Sequence, residues 1–67
     1  MTTYQINGET HTYAAPLSVL QLVEARELVG RRFAVEVNGQ IVPKSEHATT
    51  MLTDGDRVEI VVAVGGG

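Results

Sequence analysis

A chain of 67 residues has room for one domain, and its 43% hydrophobic content argues for a packed core rather than disorder. It has no cysteine, so disulfides and thiolate metal sites are excluded, and His11 and His47 alone do not make a structural zinc site; packing must hold the fold. With a net charge of −3, no basic stripe beyond Arg31-Arg32, no apolar run longer than Ile60 to Val64 and no signal-peptide pattern in MTTYQINGET, the chain points away from nucleic acid and membrane, and the cytoplasm is the default location.

The first predicted element is a hairpin. Tyr4-Gln5-Ile6 and Thr10 to Tyr13 are β-formers, and Asn7-Gly8 between them suits a two-residue type I′ turn. That turn sets Tyr4 opposite His11 and Ile6 opposite Glu9. A helix follows. Ser18 and Gln21 form a capping box, Leu17 and Leu22 a hydrophobic staple, and Pro16 pushes Ala15 to an extended shape. Val19, Leu22 and Val23 share the inner face, and Gly30 is the predicted stop.

Phe33 to Val37 then alternates with a period of two, Asn38-Gly39 supplies another tight turn, and Ile41-Val42 is a short extended piece ended by Pro43. Lys44 to Thr53 reads as polar and irregular, with a helical turn capped by Ser45 and His47 as a loop residue. Asp54-Gly55-Asp56 makes a turn whose acids serve the turn rather than a metal. The last strand is predicted over Arg57 to Val64, with Val58, Ile60, Val62 and Val64 inward and Arg57, Glu59, Val61 and Ala63 outward.

One amphipathic helix covers one face of a sheet, so the chain predicts a two-layer α+β domain over residues 1–67. The longest and most apolar strand comes last and is expected at the centre of a mixed four- to five-stranded sheet, beside the first. Residues 64–67, Val64-Gly65-Gly66-Gly67, are then expected to leave the rim as a flexible tail.

Strand order, length, "VNGQIVPKSE" (Val37 to Glu46) and "LTDGDRVEIVVAVGGG" (Leu52 to Gly67) together resemble the ThiS sulfur carrier proteins of thiamin biosynthesis, which have the β-grasp, ubiquitin-like fold. The likeness departs at His47, where relatives commonly carry an aromatic residue such as tryptophan. The closing segment is also similar to the MoaD-like carriers of molybdopterin synthesis, which commonly have prolines before the tail where this chain has Val61 to Val64.

A terminal carboxylate is ionised at neutral pH and is a poor electrophile, so carrying a group on it requires activation. The chain has no phosphate-cradling loop and no catalytic constellation, so it is read as a carrier acted on by enzymes, with no cofactor of its own. The resemblance implies the partners. An E1-like, ThiF-like adenylyltransferase would use ATP to activate Gly67, and a cysteine desulfurase or other persulfide donor would supply sulfur. A ThiG-like thiazole synthase would then take it. Val64, Gly65 and Gly66 would thread the enzyme's channel, where side chains would block passage. Arg57, Glu59, Val61 and Ala63 form the expected docking face, with Arg31 and Arg32 as solvated loop charges. Two other readings stay open at this point: a β-grasp module that binds partners without carrying a group, and a ubiquitin-like protein modifier.

Overall fold

The computed structural model describes residues 1–63. Both Asn-Gly pairs turn as their composition dictates. Asn7 and Gly8 have φ of 50° and 83°, Asn38 and Gly39 51° and 86°, so both central residues of each turn lie in the left-handed region that type I′ requires. The first turn joins strand β1 (Thr2–Ile6) to β2 (Glu9–Tyr13), with Tyr4 paired to His11 and Ile6 to Glu9 as predicted. The second joins β3 (Phe33–Val37) to β4 (Gln40–Val42), and β5 (Arg57–Val62) completes the set.

The five strands lie in the order β2-β1-β5-β3-β4. The last strand is central: it runs parallel to β1 and antiparallel to β3. The expected reach of β5 to Val64 is not met, since the strand stops at Val62; Val64 and the tail expectation lie outside the described residues.

The helix α1 (Val19–Ala25) packs on one face. Its start matches the sequence: Gln21 N–H donates to Ser18 Oγ at 3.1 Å, and Ser18 N–H donates to Gln21 Oε1 at 2.9 Å. Val19 and Leu20 give their free N–H groups to the carbonyls of Thr50 and His47, both at 2.9 Å, so the helix N-terminus is satisfied and the 43–53 loop is tied to it. Its end does not match. Instead of running to Gly30, the helix closes at Ala25 with Arg26 as cap. Glu27 takes φ 59°, its N–H donates to Glu24 O, and Leu28 N–H donates to Val23 O at 3.0 Å, which is a Schellman closure with glutamate at the position glycine favours.

Tyr4, Ile6, Val19, Leu22, Val23, Val35, Leu52, Val58 and Ile60 are buried between helix and sheet. The hydroxyl of Tyr4 does not go unpaired: it accepts from Leu17 N–H at 3.2 Å.

Two expectations for the 44–53 stretch are corrected. The turn there is a 3-10 helix (Lys44–Glu46) entered from Pro43, with Ser45 inside it and no side-chain cap; proline's fixed φ, here −60°, sets up the turn instead. His47 is not a loose loop residue. It is 5% exposed, stacks on Phe33 with ring centroids 5.9 Å apart, and donates from Nε2 to Val42 O at 3.1 Å. An imidazole thus fills a site shaped for a flat ring and covers the β3–β4 end of the core.

Candidate functional site

The candidate site expected from the sequence is the C-terminal end of β5 and the sheet face beside it. Because β5 is central, its residues bond on two sides. Ala63 N–H donates to Arg32 O at 2.9 Å, and Asn38 N–H to Arg57 O at 2.7 Å, so the odd-numbered residues of this segment bond towards β3. Even-numbered residues bond towards β1: Asn7 N–H donates to Val58 O at 2.9 Å. Beyond Ile6 the first strand turns away, and the Asn7 side chain takes its place. Its Oδ1 accepts from Ile60 N–H at 2.7 Å and its Nδ2 donates to Ile60 O at 3.1 Å. The chain is therefore held on the sheet as far as Ala63, the last described residue, and residues 64–67 follow from a fixed point.

Arg57, Glu59, Val61 and Ala63 all point away from the helix, in one column along β5, and all are exposed, as the alternation predicts. Val61 is 61% exposed, a large share for a valine in a central strand. Gly65, Gly66 and Gly67, with Val64, lie outside the described residues, so the tail itself adds no geometry.

Strand pairing adds neighbours that the sequence reading did not include. Ala34 lies opposite Val61, Glu36 opposite Glu59, and Ile41 opposite Glu36 on the same outward face. Ile41 is 70% exposed. Alternation alone would have put Ala34 and Glu36 outward; only the strand order puts them beside Val61 and Glu59. The outward face thus has two halves. Thr3, Gln5, Thr10 and Thr12 make a polar half on β1 and β2, where Thr3 and Thr12 share a hydroxyl bond of 3.1 Å. On the other half, Val61, Ala63 and Ala34 make an aliphatic patch at the tail root, with Glu59 and Glu36 next along the strands and Ile41 beyond Glu36.

The remaining candidates have structural duties. Asp54 Oδ1 accepts from Thr3 N–H at 2.7 Å, and Asp56 accepts from Thr53 N–H at 2.7 Å and Asn38 Nδ2 at 3.0 Å, so both acids are turn builders. His11 sits at the sheet edge 3.4 Å from Glu9, and Arg31 and Arg32 are exposed. Among the described residues no cluster of three metal-ligating side chains exists, and no helix is long and apolar enough to cross a membrane.

A model of the ThiS family matches residues 4–67. The chain is 44% identical over 62 residues to a thiazole synthase from Paramagnetospirillum magneticum; the match covers 92% of this chain and 19% of that protein's length. It is 38% identical over 63 residues to an uncharacterized ycf40 protein of Porphyra purpurea, with 94% of this chain and 89% of the relative covered. Among solved structures, the crystal structure of the thiamine biosynthesis protein ThiS from Geobacter metallireducens superposes with a TM-score of 0.83 at 29% identity, covering 98% of this chain and 100% of that one. The solution structure of a thiamine biosynthesis protein from the same organism gives 0.82 at 30% identity, over 98% and 88%. The likeness takes in the sheet order, the single helix and the sequence through the terminal glycines, and the chain belongs to the ThiS family.

Proposed function

We propose that this protein is a sulfur carrier of thiamine biosynthesis, working through the α-carboxyl of Gly67. The supporting observation is the fixed root: a central strand held to Ala63, followed by four residues that end in three glycines. Four residues reach at most about 14 Å. A group on Gly67 therefore enters a buried site only when the body docks against its rim, which gives the aliphatic patch around Val61 a purpose. The tail needs slender residues, the body needs a sticky shoulder, and this chain has both.

The chemistry follows from the carboxylate's inertness. An adenylating enzyme joins a Gly67 oxygen to the α-phosphorus of ATP, releasing pyrophosphate. A persulfide sulfur then attacks the acyl carbon and AMP leaves. A thiol cleaves the resulting S–S bond, and the thiocarboxylate remains on Gly67. Thiazole synthase is the consumer on this reading, in keeping with the relative whose length includes a domain of this kind.

Intact-mass measurement after incubation with ATP, an adenylating enzyme and a persulfide donor tests the reading. One oxygen should be exchanged for one sulfur, and removing Gly67 should abolish the exchange while leaving the circular dichroism spectrum unchanged. An unaltered mass with an enzyme that charges another ThiS protein overturns it.

A further inference from the structure

An asparagine followed by glycine carries an electrophile and a nucleophile one bond apart. The glycine nitrogen, with no side chain beside it, reaches the amide carbon of the asparagine and closes a five-membered ring. This chain has the pair twice, at Asn7-Gly8 and Asn38-Gly39, each after a β-branched residue, Ile6 and Val37. The dipeptide and its preceding neighbour therefore do not separate the two sites. In both turns the side-chain amide is bonded at its oxygen and at its nitrogen. Ring closure must first pull the amide off those partners, so the population of the locally opened turn sets the rate.

Opening costs differ. Asn7 must abandon the N–H and the C=O of Ile60, a nearly buried residue, and both groups are then left without partners. It also closes a ladder of five residue pairs between β1 and β2. Asn38 abandons the N–H of Arg57 and a carboxylate oxygen of Asp56, both in exposed bonds that water replaces. Its ladder to β4 has three pairs, and β4 is the last strand of the sheet. The second turn is the weaker one.

We infer that Asn38 is a deamidation site of the folded protein and that Asn7 is protected from the same reaction. The Gly39 nitrogen bonds to the Asn38 amide carbon and gives up its proton, the bond to Nδ2 breaks, and ammonia leaves. Water then opens the succinimide. Attack at the side-chain carbonyl gives aspartate; attack at the main-chain carbonyl gives isoaspartate, with the backbone rerouted through the side chain. The corner is sensitive to either product. Asn38 Nδ2 donates to Asp56 Oδ1 at 3.0 Å, so aspartate puts a second carboxylate where a donor stood. Asp56 also accepts from Thr53 N–H, which ties the disturbance to the turn before β5. Isoaspartate adds an atom to a two-residue turn whose length fixes the β3–β4 register. The change lies at the start of β5, the opposite end from Ala63, so it weakens the body and leaves the Gly67 carboxyl alone. The inference holds whether or not the chain carries sulfur.

The test is prolonged incubation of the full chain in mildly alkaline buffer, with peptide mapping by a fragmentation method that distinguishes asparagine, aspartate and isoaspartate. Asn38 should convert first, with Asn7 slower by roughly tenfold or more, the ratio set by one further buried group left unpaired on opening. In concentrated urea, where neither clamp survives, the two rates should agree to within about twofold. Asn38→Asp reproduces one product directly and should lower the thermal midpoint by about 4–8 °C. Equal rates in the folded chain, faster conversion of Asn7, or an unconverted Asn38 beside a reactive urea control each overturn the assignment of the site. A tenfold difference that persists in urea overturns the protective role of the Ile60 clamp. An unchanged midpoint in Asn38→Asp overturns the effect on the corner.

Discussion

The two Asn-Gly turns are the same dipeptide in the same conformation, yet they do different work. Both asparagines reach β5 and offer an oxygen to one of its N–H groups. Asn38 Oδ1 accepts from Arg57 N–H at 3.0 Å, at the strand's exposed start, with Asp56 taking the amide's other end. Asn7 uses both ends of its amide on one residue, Ile60, which is 6% exposed. The first steadies a corner. The second replaces a missing strand, because β1 ends two residues too early to pair with Ile60. A turn signal can therefore hide a tertiary clamp, and the depth of the residue clamped decides what it contributes.

Glycine tests this difference without disturbing the turns, since it accepts the left-handed conformation at least as well as asparagine. Asn7→Gly removes two bonds to a nearly buried peptide and should cost about 2 kcal/mol, lowering the thermal midpoint by roughly 8–15 °C. Asn38→Gly leaves its own N–H bond to Arg57 and loses amide bonds that water can replace, so about 1 kcal/mol or less is expected. Urea titration followed by circular dichroism distinguishes the two. Equal losses would show that the burial of Ile60 contributes nothing. The double variant should sum the single losses to within about 0.5 kcal/mol, because Arg57 and Ile60 are about 10 Å apart along the strand.

Most local signals were legible, the expected helix stop at Gly30 and the expected Ser45 cap being the exceptions. The period of two gave the inward and outward faces of β3 and β5, the Asn-Gly pairs gave both hairpin turns, and Ser18 with Gln21 gave the helix start. Each depends on residues within a few positions of one another. What stayed hidden depends on distant ones. The Asn7 clamp spans 53 positions, and nothing near Asn7 marks it. His47 sits in a polar stretch, KSEHATT, and is buried only because Phe33 comes under it. Ala34, Glu36 and Ile41 join the outward patch only once β5 is known to lie against β3 and β3 against β4. The tail, the most telling motif in the sequence, lies outside the described residues, so its role rests on chemistry and kinship.

Glu27 supplies the contrast to both asparagines. It is the third non-glycine residue with positive φ, at 59°, and there the left-handed backbone is needed to close the helix through Leu28 N–H and Val23 O. Unlike Asn7 and Asn38, its side chain makes no hydrogen bond or ion pair among the described residues that would repay the conformation. Sequence inspection favoured Gly30 as the stop because glycine is the stronger signal, yet the amphipathic face had already run out at Ala25 and closure came first. Glu27→Gly should therefore relieve strain and lose nothing. We expect a gain of about 0.5–1 kcal/mol, less than the full left-handed penalty because glycine also enlarges the unfolded ensemble. The thermal midpoint should rise by about 4 °C. The sign carries the argument: one substitution, made at three residues with one backbone conformation, lowers stability where the side chain grips β5 and raises it where it grips nothing. A fall in the midpoint for Glu27→Gly would mean that the glutamate holds a contact of its own.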